Sequence, residues 1–115
     1  MNIVRMNKLI RDRAMEPELK YGCTFTQYAC EPEEYYRRLK EKLAEEVSEF
    51  LSDQKVEELG DVLEVIYALA AYKGYTAKQI EEVTDNKRNK VGGFEQRLVL
   101  KEVRHTTECP RYKKI

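Results

Sequence analysis

The sequence has little of what several protein classes require. It contains no tryptophan, three prolines, one histidine and three cysteines in 115 residues. The odd cysteine count and the lack of zinc-ligand spacing argue against a disulfide framework or a structural zinc site, and reduced thiols are typical of the cytoplasm. No apolar run is long enough to cross a bilayer. The composition therefore predicts a cytoplasmic protein with no membrane partner.

The chain also lacks an excess of charge of either sign. Its 21 basic residues balance 21 acidic ones, so the molecule as a whole has no electrostatic reason to bind nucleic acid. It also lacks the interleaved aromatic and basic residues that nucleic-acid-binding modules commonly use. A length of 115 residues is typical of one domain with a single core. The sequence predicts one domain, 1–115, that does not bind nucleic acid.

What the sequence does contain is apolar residues at helical spacing through its middle section. Pro32 and the acids beside it are typical of a helix start, and Thr76 with Gln79 forms a capping box. Gly74 is a typical C-terminal stop for the helix that precedes it. The sequence predicts three helices, at 31–52, 54–74 and 76–91.

The remaining segments show no steady helical period. Residues 1–30 are predicted as an irregular arm with a short helix or strand, and residues 92–115 as a short extended tail. Short loops between amphipathic helices predict antiparallel neighbours and a mainly α fold. Three such helices make a thin core, while the stretch VLEVIYALAA predicts a helix buried on more than one side. We therefore expect a homodimer or homotetramer that completes the helical bundle between subunits.

Several carboxylates occupy positions that helical spacing assigns to the interior. A buried seam advances by alternating steps of three and four residues, and Glu46 falls on such a row between Leu43 and Phe50. A row on the second helix begins with Glu58 and Asp61 and then becomes apolar. A separate stripe on that helix predicts an ordinary core face, formed by Val56, Leu59, Leu63, Ile66 and Ala70.

Antiparallel packing across the short turn would bring Glu46 and Glu49 to face Glu58 and Asp61. Four carboxylates in a partly desolvated notch repel one another, and a divalent cation would relieve that repulsion. All-oxygen ligation suits magnesium or manganese, and magnesium usually accepts further oxygens from phosphates. Acids on helices more often lie on a solvated face beside Lys or Arg. The residues alone leave a metal site and a solvated face as alternatives.

Three sequence blocks follow one another along the chain. NKLIRD occupies 7–12, EELGDVLEVIYALA occupies 57–70 and GGF occupies 92–94, while an EExxE helix at 45–49 precedes an ExxD helix at 58–61. In these motifs the sequence resembles the MazG-like, all-α nucleoside triphosphate pyrophosphohydrolases. It is most similar to the small, single-domain branch related to phosphoribosyl-ATP pyrophosphohydrolase. The resemblance implies an antiparallel helical bundle of the MazG-like type.

The resemblance also implies magnesium-dependent hydrolysis of a nucleoside triphosphate between its α and β phosphates, giving the monophosphate and pyrophosphate. Because all-oxygen ligands also suit manganese, manganese is the expected substitute metal. Carried over to the matching positions, the metal ligands are Glu46, Glu49, Glu58 and Asp61. Glu49 or Glu45 is then the candidate general base. The candidate substrate-binding residues are Lys8, Arg11, Arg13, Lys87, Arg88, Lys90 and Phe94.

The sequence leaves other functions open beside removal of noncanonical triphosphates from the nucleotide pool. A related pyrophosphohydrolase acting on phosphoribosyl-ATP or another specialised nucleotide would need the same acids. A non-catalytic helical oligomer could use those acids to bind a structural cation or a regulatory nucleotide. Magnesium-dependent release of pyrophosphate would exclude the non-catalytic alternative.

Overall fold

The chain is mainly α-helical, as the sequence predicts. A computed structural model describes residues 2–109, so residue 1 of the predicted arm and residues 110–115 of the predicted tail lie outside the described residues. The helices are α1 (Glu16–Lys20), α2 (Pro32–Asp53), α3 (Val56–Tyr72) and α4 (Ala77–Val91), and residues 2–109 contain no strand. None of the described helices is long and apolar enough to span a membrane.

Two compact units divide the chain inside α4. The first runs up to Glu82 and contains the arm, α1, α2 and α3, and the second begins at Val83. Residues 92–109 of the second unit form neither helix nor strand. The assignment of 1–115 to a single domain stays a prediction.

The helix ends follow from local hydrogen bonding that the sequence indicates. Pro32 opens α2, where the missing backbone N–H costs nothing. The capping box before α4 is confirmed: the backbone N–H of Thr76 donates to Gln79 Oε1 at 2.8 Å, and that of Gln79 donates to Thr76 Oγ1 at 3.1 Å. At the other end of α4, Gly92 has φ +82°, a left-handed conformation that glycine adopts without strain.

A hairpin of α2 and α3 is the structural centre of the first unit. Gln54 ends α2 in a left-handed conformation, and its N–H donates to the Phe50 carbonyl at 2.7 Å. The chain then turns back at once, and at the far end of the hairpin the rings of Tyr36 and Tyr72 stack with centroids 4.7 Å apart. Within the described part of this unit, α2 and α3 are the only helices that pack against each other. The predicted antiparallel pairing of these helices is therefore confirmed.

One predicted core row is buried and the other is not. On α2, Leu39 and Glu46 are buried and their seam neighbours are half-buried, as the three-four spacing predicts. On α3, Ala70 is buried and Ile66 is half-buried, but Val56, Leu59 and Leu63 remain 74%, 48% and 44% exposed. The prediction that this stripe is a core face is wrong for a single chain at those positions, because no other helix of the unit packs on it.

Candidate functional site

Glu46 is the only charged residue among residues 2–109 that is buried, with 7% of its surface exposed. It lies at the α2–α3 seam, where its Oε1 is 3.2 Å from the Lys42 Nζ. Its Oε2 is buried without a hydrogen-bond partner. A desolvated carboxylate oxygen in that state is costly, which favours an additional positively charged or proton-donating ligand. The prediction that Glu46 faces inward is confirmed.

Glu49 is exposed and lies nearly one turn after Glu46 on α2. Repulsion by the Glu46 carboxylate is the main cause that raises the pKa of Glu49, and desolvation adds to it. A raised pKa makes Glu49 a better proton acceptor than an ordinary surface glutamate.

Replacing Glu49 with glutamine should raise the melting temperature near neutral pH, because the amide does not repel Glu46. The raised pKa means that the folded state binds the Glu49 proton more tightly than the unfolded chain does, so stability falls as pH rises above the ordinary value of 4.5. The gain should disappear near about pH 3, where the carboxyl is protonated in both states. Thermal melts across this range test the sign, with the exposed Glu57→Gln as control. A gain that persisted in acid would contradict the assignment.

Glu45 is held by cations and makes a poorer base. Lys8 Nζ donates to Glu45 Oε1 at 3.0 Å, and the Lys42 Nζ lies 3.5 Å from the same carboxylate. Burial alone would raise the pKa of Glu45, but the hydrogen bond from Lys8 and the charges of both lysines outweigh it and hold the pKa below its ordinary value. Of the two candidate bases, the geometry favours Glu49.

Asp61 is paired with a residue of the N-terminal arm. Arg11 Nη2 donates to Asp61 Oδ1 at 2.9 Å, and Arg11 Nη1 lies 4.0 Å from Glu64 Oε1. The arm therefore delivers Lys8 to α2 and Arg11 to α3, onto two acids of the predicted site.

Glu58 serves as a helix cap. Its Oε2 accepts the backbone N–H of Lys55 at 3.1 Å, at the start of α3. Burial and the neighbouring Asp53 raise the pKa of Glu58, against the opposing hydrogen bond from Lys55. The structure thus brings Glu46 and Glu49 together but engages Glu58 and Asp61 with other partners. In this conformation, no three or more acids, histidines or cysteines within residues 2–109 are grouped to hold a metal ion. The four-ligand site stays a prediction.

The other basic candidates lie apart from this acidic group or in the second unit. Arg13 pairs with Glu16 of α1 through two hydrogen bonds of 2.9 and 3.0 Å. In the second unit, Lys87, Arg88 and the highly exposed Phe94 line a cavity of about 640 Å³. Lys90 is exposed and is not among the residues that line this cavity.

Sequence reasoning missed two basic residues of α2, Lys42 and Arg38. Lys42 lies four residues before Glu46, a spacing at which a helical ion pair is expected, so the signal was present in the sequence. Arg38 contacts Asn7, 31 residues away in the chain, and no local pattern indicates that contact.

Comparisons with protein-family models, with curated proteins and with solved structures find no match to this chain. The sequence motifs and the geometry of the acids and cations are therefore the features that indicate a function. Within that geometry, the buried and incompletely paired Glu46 is the feature that most needs a ligand.

Proposed function

We propose that this protein is a magnesium-dependent nucleotide pyrophosphohydrolase that cleaves a nucleoside triphosphate between its α and β phosphates. The observation that carries the proposal is Glu46, a buried carboxylate with one oxygen lacking a partner. Its position is one of the two in the EExxE motif to which the family resemblance assigns a metal ligand. An unpartnered carboxylate oxygen fits a hard divalent cation, because magnesium binds oxygen ligands.

The residues that would hold the metal are those of the two acidic motifs. Glu46 and Glu49 are already neighbours, while Asp61 would exchange Arg11 for the metal and Glu58 would turn away from the cap at Lys55. Magnesium bound there would neutralise phosphate charge and lower the pKa of the attacking water. Manganese would substitute because it favours the same ligands.

The chain's own part in the chemistry is to orient the phosphates and accept a proton. One water adds its oxygen to a phosphorus at the α–β linkage while the bridging P–O bond breaks, which releases pyrophosphate. Glu49 would accept the water's proton through a carboxylate oxygen that does not bind the metal. Lys8 and Arg11, once free of Glu45 and Asp61, bind the phosphate oxygens.

We also propose that the functional molecule is a homodimer or larger. On α2, Val47 lies two residues beyond Glu45, and on α3, Leu63 lies two residues beyond Asp61. Residues two apart are about 200° apart around a helix, so the apolar side chains lie on the face of the hairpin opposite the arm. Leu51 and Leu59 extend that exposed apolar face.

A second copy of this chain is the occupant that best fits the apolar face. α3 has 17 residues and is about 26 Å long, so a face two helices wide offers about 500 Å² per chain. Two such faces would bury about 1,000 Å², the lower bound for a specific interface. Pairing two hairpins through these faces would make a four-helix bundle with an ordinary core.

The direct test is to measure pyrophosphate and phosphate separately, using common and modified nucleoside triphosphates and phosphoribosyl-ATP, with and without magnesium. We expect magnesium-dependent pyrophosphate from a subset and no matching release of phosphate. Activity restricted to phosphoribosyl-ATP would favour the specialised alternative. A folded protein that binds magnesium but cleaves none of the compounds would contradict the enzyme and favour the non-catalytic binding role.

A further inference from the structure

Arg38 makes contacts that an ordinary surface arginine does not. Only 14% of its side chain is exposed, and its Nε donates to Glu34 Oε2 at 3.2 Å. Its Nη1 donates to the backbone carbonyl of Asn7 at 3.0 Å, and its Nη2 donates to Asn7 Oδ1 at the same distance. The Tyr28 hydroxyl lies 3.5 Å from Nη2. Arg38 therefore joins one point of the N-terminal arm to the surface of α2.

Asn7, the residue that Arg38 contacts, lies where the arm changes direction. Asn7 has φ +47°, a left-handed conformation that asparagine tolerates better than most residues. Directly after it, Lys8 contacts Glu45 of α2, and four residues on, Arg11 contacts Asp61 of α3. Residues 7–11, here called the strap, thus connect α2 and α3 through the ion pairs of Lys8 and Arg11. Asn7 and Lys8, with Arg38 and Glu45 of α2, line a cavity of about 510 Å³.

The neighbouring Arg37 differs from Arg38 in its exposure and in its contacts. Arg37 is 55% exposed, and it donates hydrogen bonds to Glu41 at 3.3 and 3.4 Å. The planar guanidinium of Arg38 presents several donors in a fixed geometry. It can therefore bind two oxygens of Asn7 and one oxygen of Glu34 at the same time. A lysine at this position would offer a single nitrogen and could not reproduce that set.

We propose that Arg38 is the positioning residue of a displaceable strap, which pairs Lys8 with Glu45 and Arg11 with Asp61. A divalent cation at Glu46 and Asp61 replaces Arg11 and repels Lys8, which displaces the strap. The role of Arg38 in holding the strap is independent of the proposed function. The displacement of the strap by a cation rests on the proposed function. Displacement frees Lys8 and Arg11 to bind the phosphate chain, so metal binding and phosphate binding are coupled through the strap. Glu46 provides the opening for the cation, since its Oε2 is without a partner while the strap is closed.

Trypsin measures whether the strap is closed. The protease must take the side chain of Lys8 or Arg11 into its own pocket, so it cleaves there only when Glu45 or Asp61 has released that side chain. Arg97, which is exposed in the irregular segment 92–109, provides an internal reference bond. The rates of cleavage after Lys8 and Arg11, divided by the rate after Arg97, are followed by mass spectrometry.

Without metal, Arg38→Gln should raise both ratios by about tenfold, the effect expected when hydrogen bonds to a charged group are lost. Arg38→Lys should restore only part of the protection, and Arg37→Gln should match the wild type. Asn7→Gly keeps the left-handed backbone but removes the Oδ1 contact, and it tests the strap without altering α2. Ratios within twofold of the wild type in both Arg38→Gln and Asn7→Gly would overturn the role of Arg38.

The second part of the experiment is the addition of magnesium. Added to the wild type, it should raise the same ratios toward those of Arg38→Gln, and calorimetry should show tighter magnesium binding by Arg38→Gln than by Arg37→Gln. Wild-type protein that binds magnesium without faster cleavage after Lys8 and Arg11 would overturn the displacement. A failure to bind magnesium at all would overturn the proposed function and the displacement with it, while the metal-free comparison would still decide the role of Arg38.

Discussion

Replacing Glu46 with glutamine is expected to abolish metal-dependent pyrophosphate release and to weaken magnesium binding, while the hairpin stays folded. The amide keeps the size of the buried side chain but removes the negative charge that a hard cation needs. Metal affinity and turnover should each fall by about 100-fold or more. Folding should tolerate the change because Lys42 keeps Glu45 as a partner and the unpaired charge of Oε2 is removed.

The measurements are initial rates of pyrophosphate release, calorimetric titration with magnesium, and thermal melts on the same samples. Glu57→Gln is the matched control, since it alters an exposed acid on α3 beside the ExxD motif. Asp61→Asn is a second test in which folding is not at issue, because that side chain is 44% exposed. If Glu46→Gln kept both magnesium affinity and activity, Glu46 would be a structural acid and the proposed site would be wrong.

Placing a charge on the apolar face should separate the subunits and destabilise each chain. Leu63→Glu introduces one carboxylate per chain at the centre of the proposed interface, where Leu59 and Val47 are also exposed. Each lost leucine contact removes about 1.5–3 kcal/mol, and two copies change at once, so we expect the dimer dissociation constant to rise by at least about 100-fold. The released chain would keep only three buried apolar side chains among its described residues, Leu39, Val65 and Ala70. A core of that size gives the chain little stability, so the melting temperature should fall when the dimer dissociates.

Sedimentation velocity over a range of protein concentrations, with thermal melts, tests this expectation. Val83→Glu is the control because Val83 is 67% exposed on α4 and is not part of the apolar face. The control should change neither the mass nor the concentration dependence of melting. A wild-type protein that is monomeric and stably folded at micromolar concentration would contradict the dimer, and the exposed stripe on α3 would then need another explanation.

Local features were the most predictable part of this protein. Pro32 at a helix start and the Thr76–Gln79 capping box depend on residues within one turn, and the helices lie within two residues of their predicted ends. The burial of Glu46 was also predictable, because a three-four row needs only the geometry of one helix and an apolar neighbour on either side. The homodimer prediction came from the same patterning, and the exposure of Leu59 and Leu63 agrees with it without testing it.

The partners of the acids were not predictable in this way. Glu58 accepts a hydrogen bond from the backbone N–H of Lys55 at the start of α3. This local contact competes with the inward position that the seam row predicts for Glu58. Lys8 and Arg11 reach acids 37 and 50 residues away, and those pairings depend on the path of an arm that carries no periodic pattern. Asn7 and Arg38 set that path through a contact across 31 residues.

The sequence by itself determined the helices, their amphipathic faces and the inward position of Glu46, because these depend on interactions within one or two turns of backbone. Only the tertiary structure decided which cation neutralises which acid, which acid is left with an unpaired oxygen, and which apolar face stays uncovered. Those outcomes depend on where distant segments meet, and a long-range contact between an irregular arm and a helix leaves no period in the sequence from which it could be inferred.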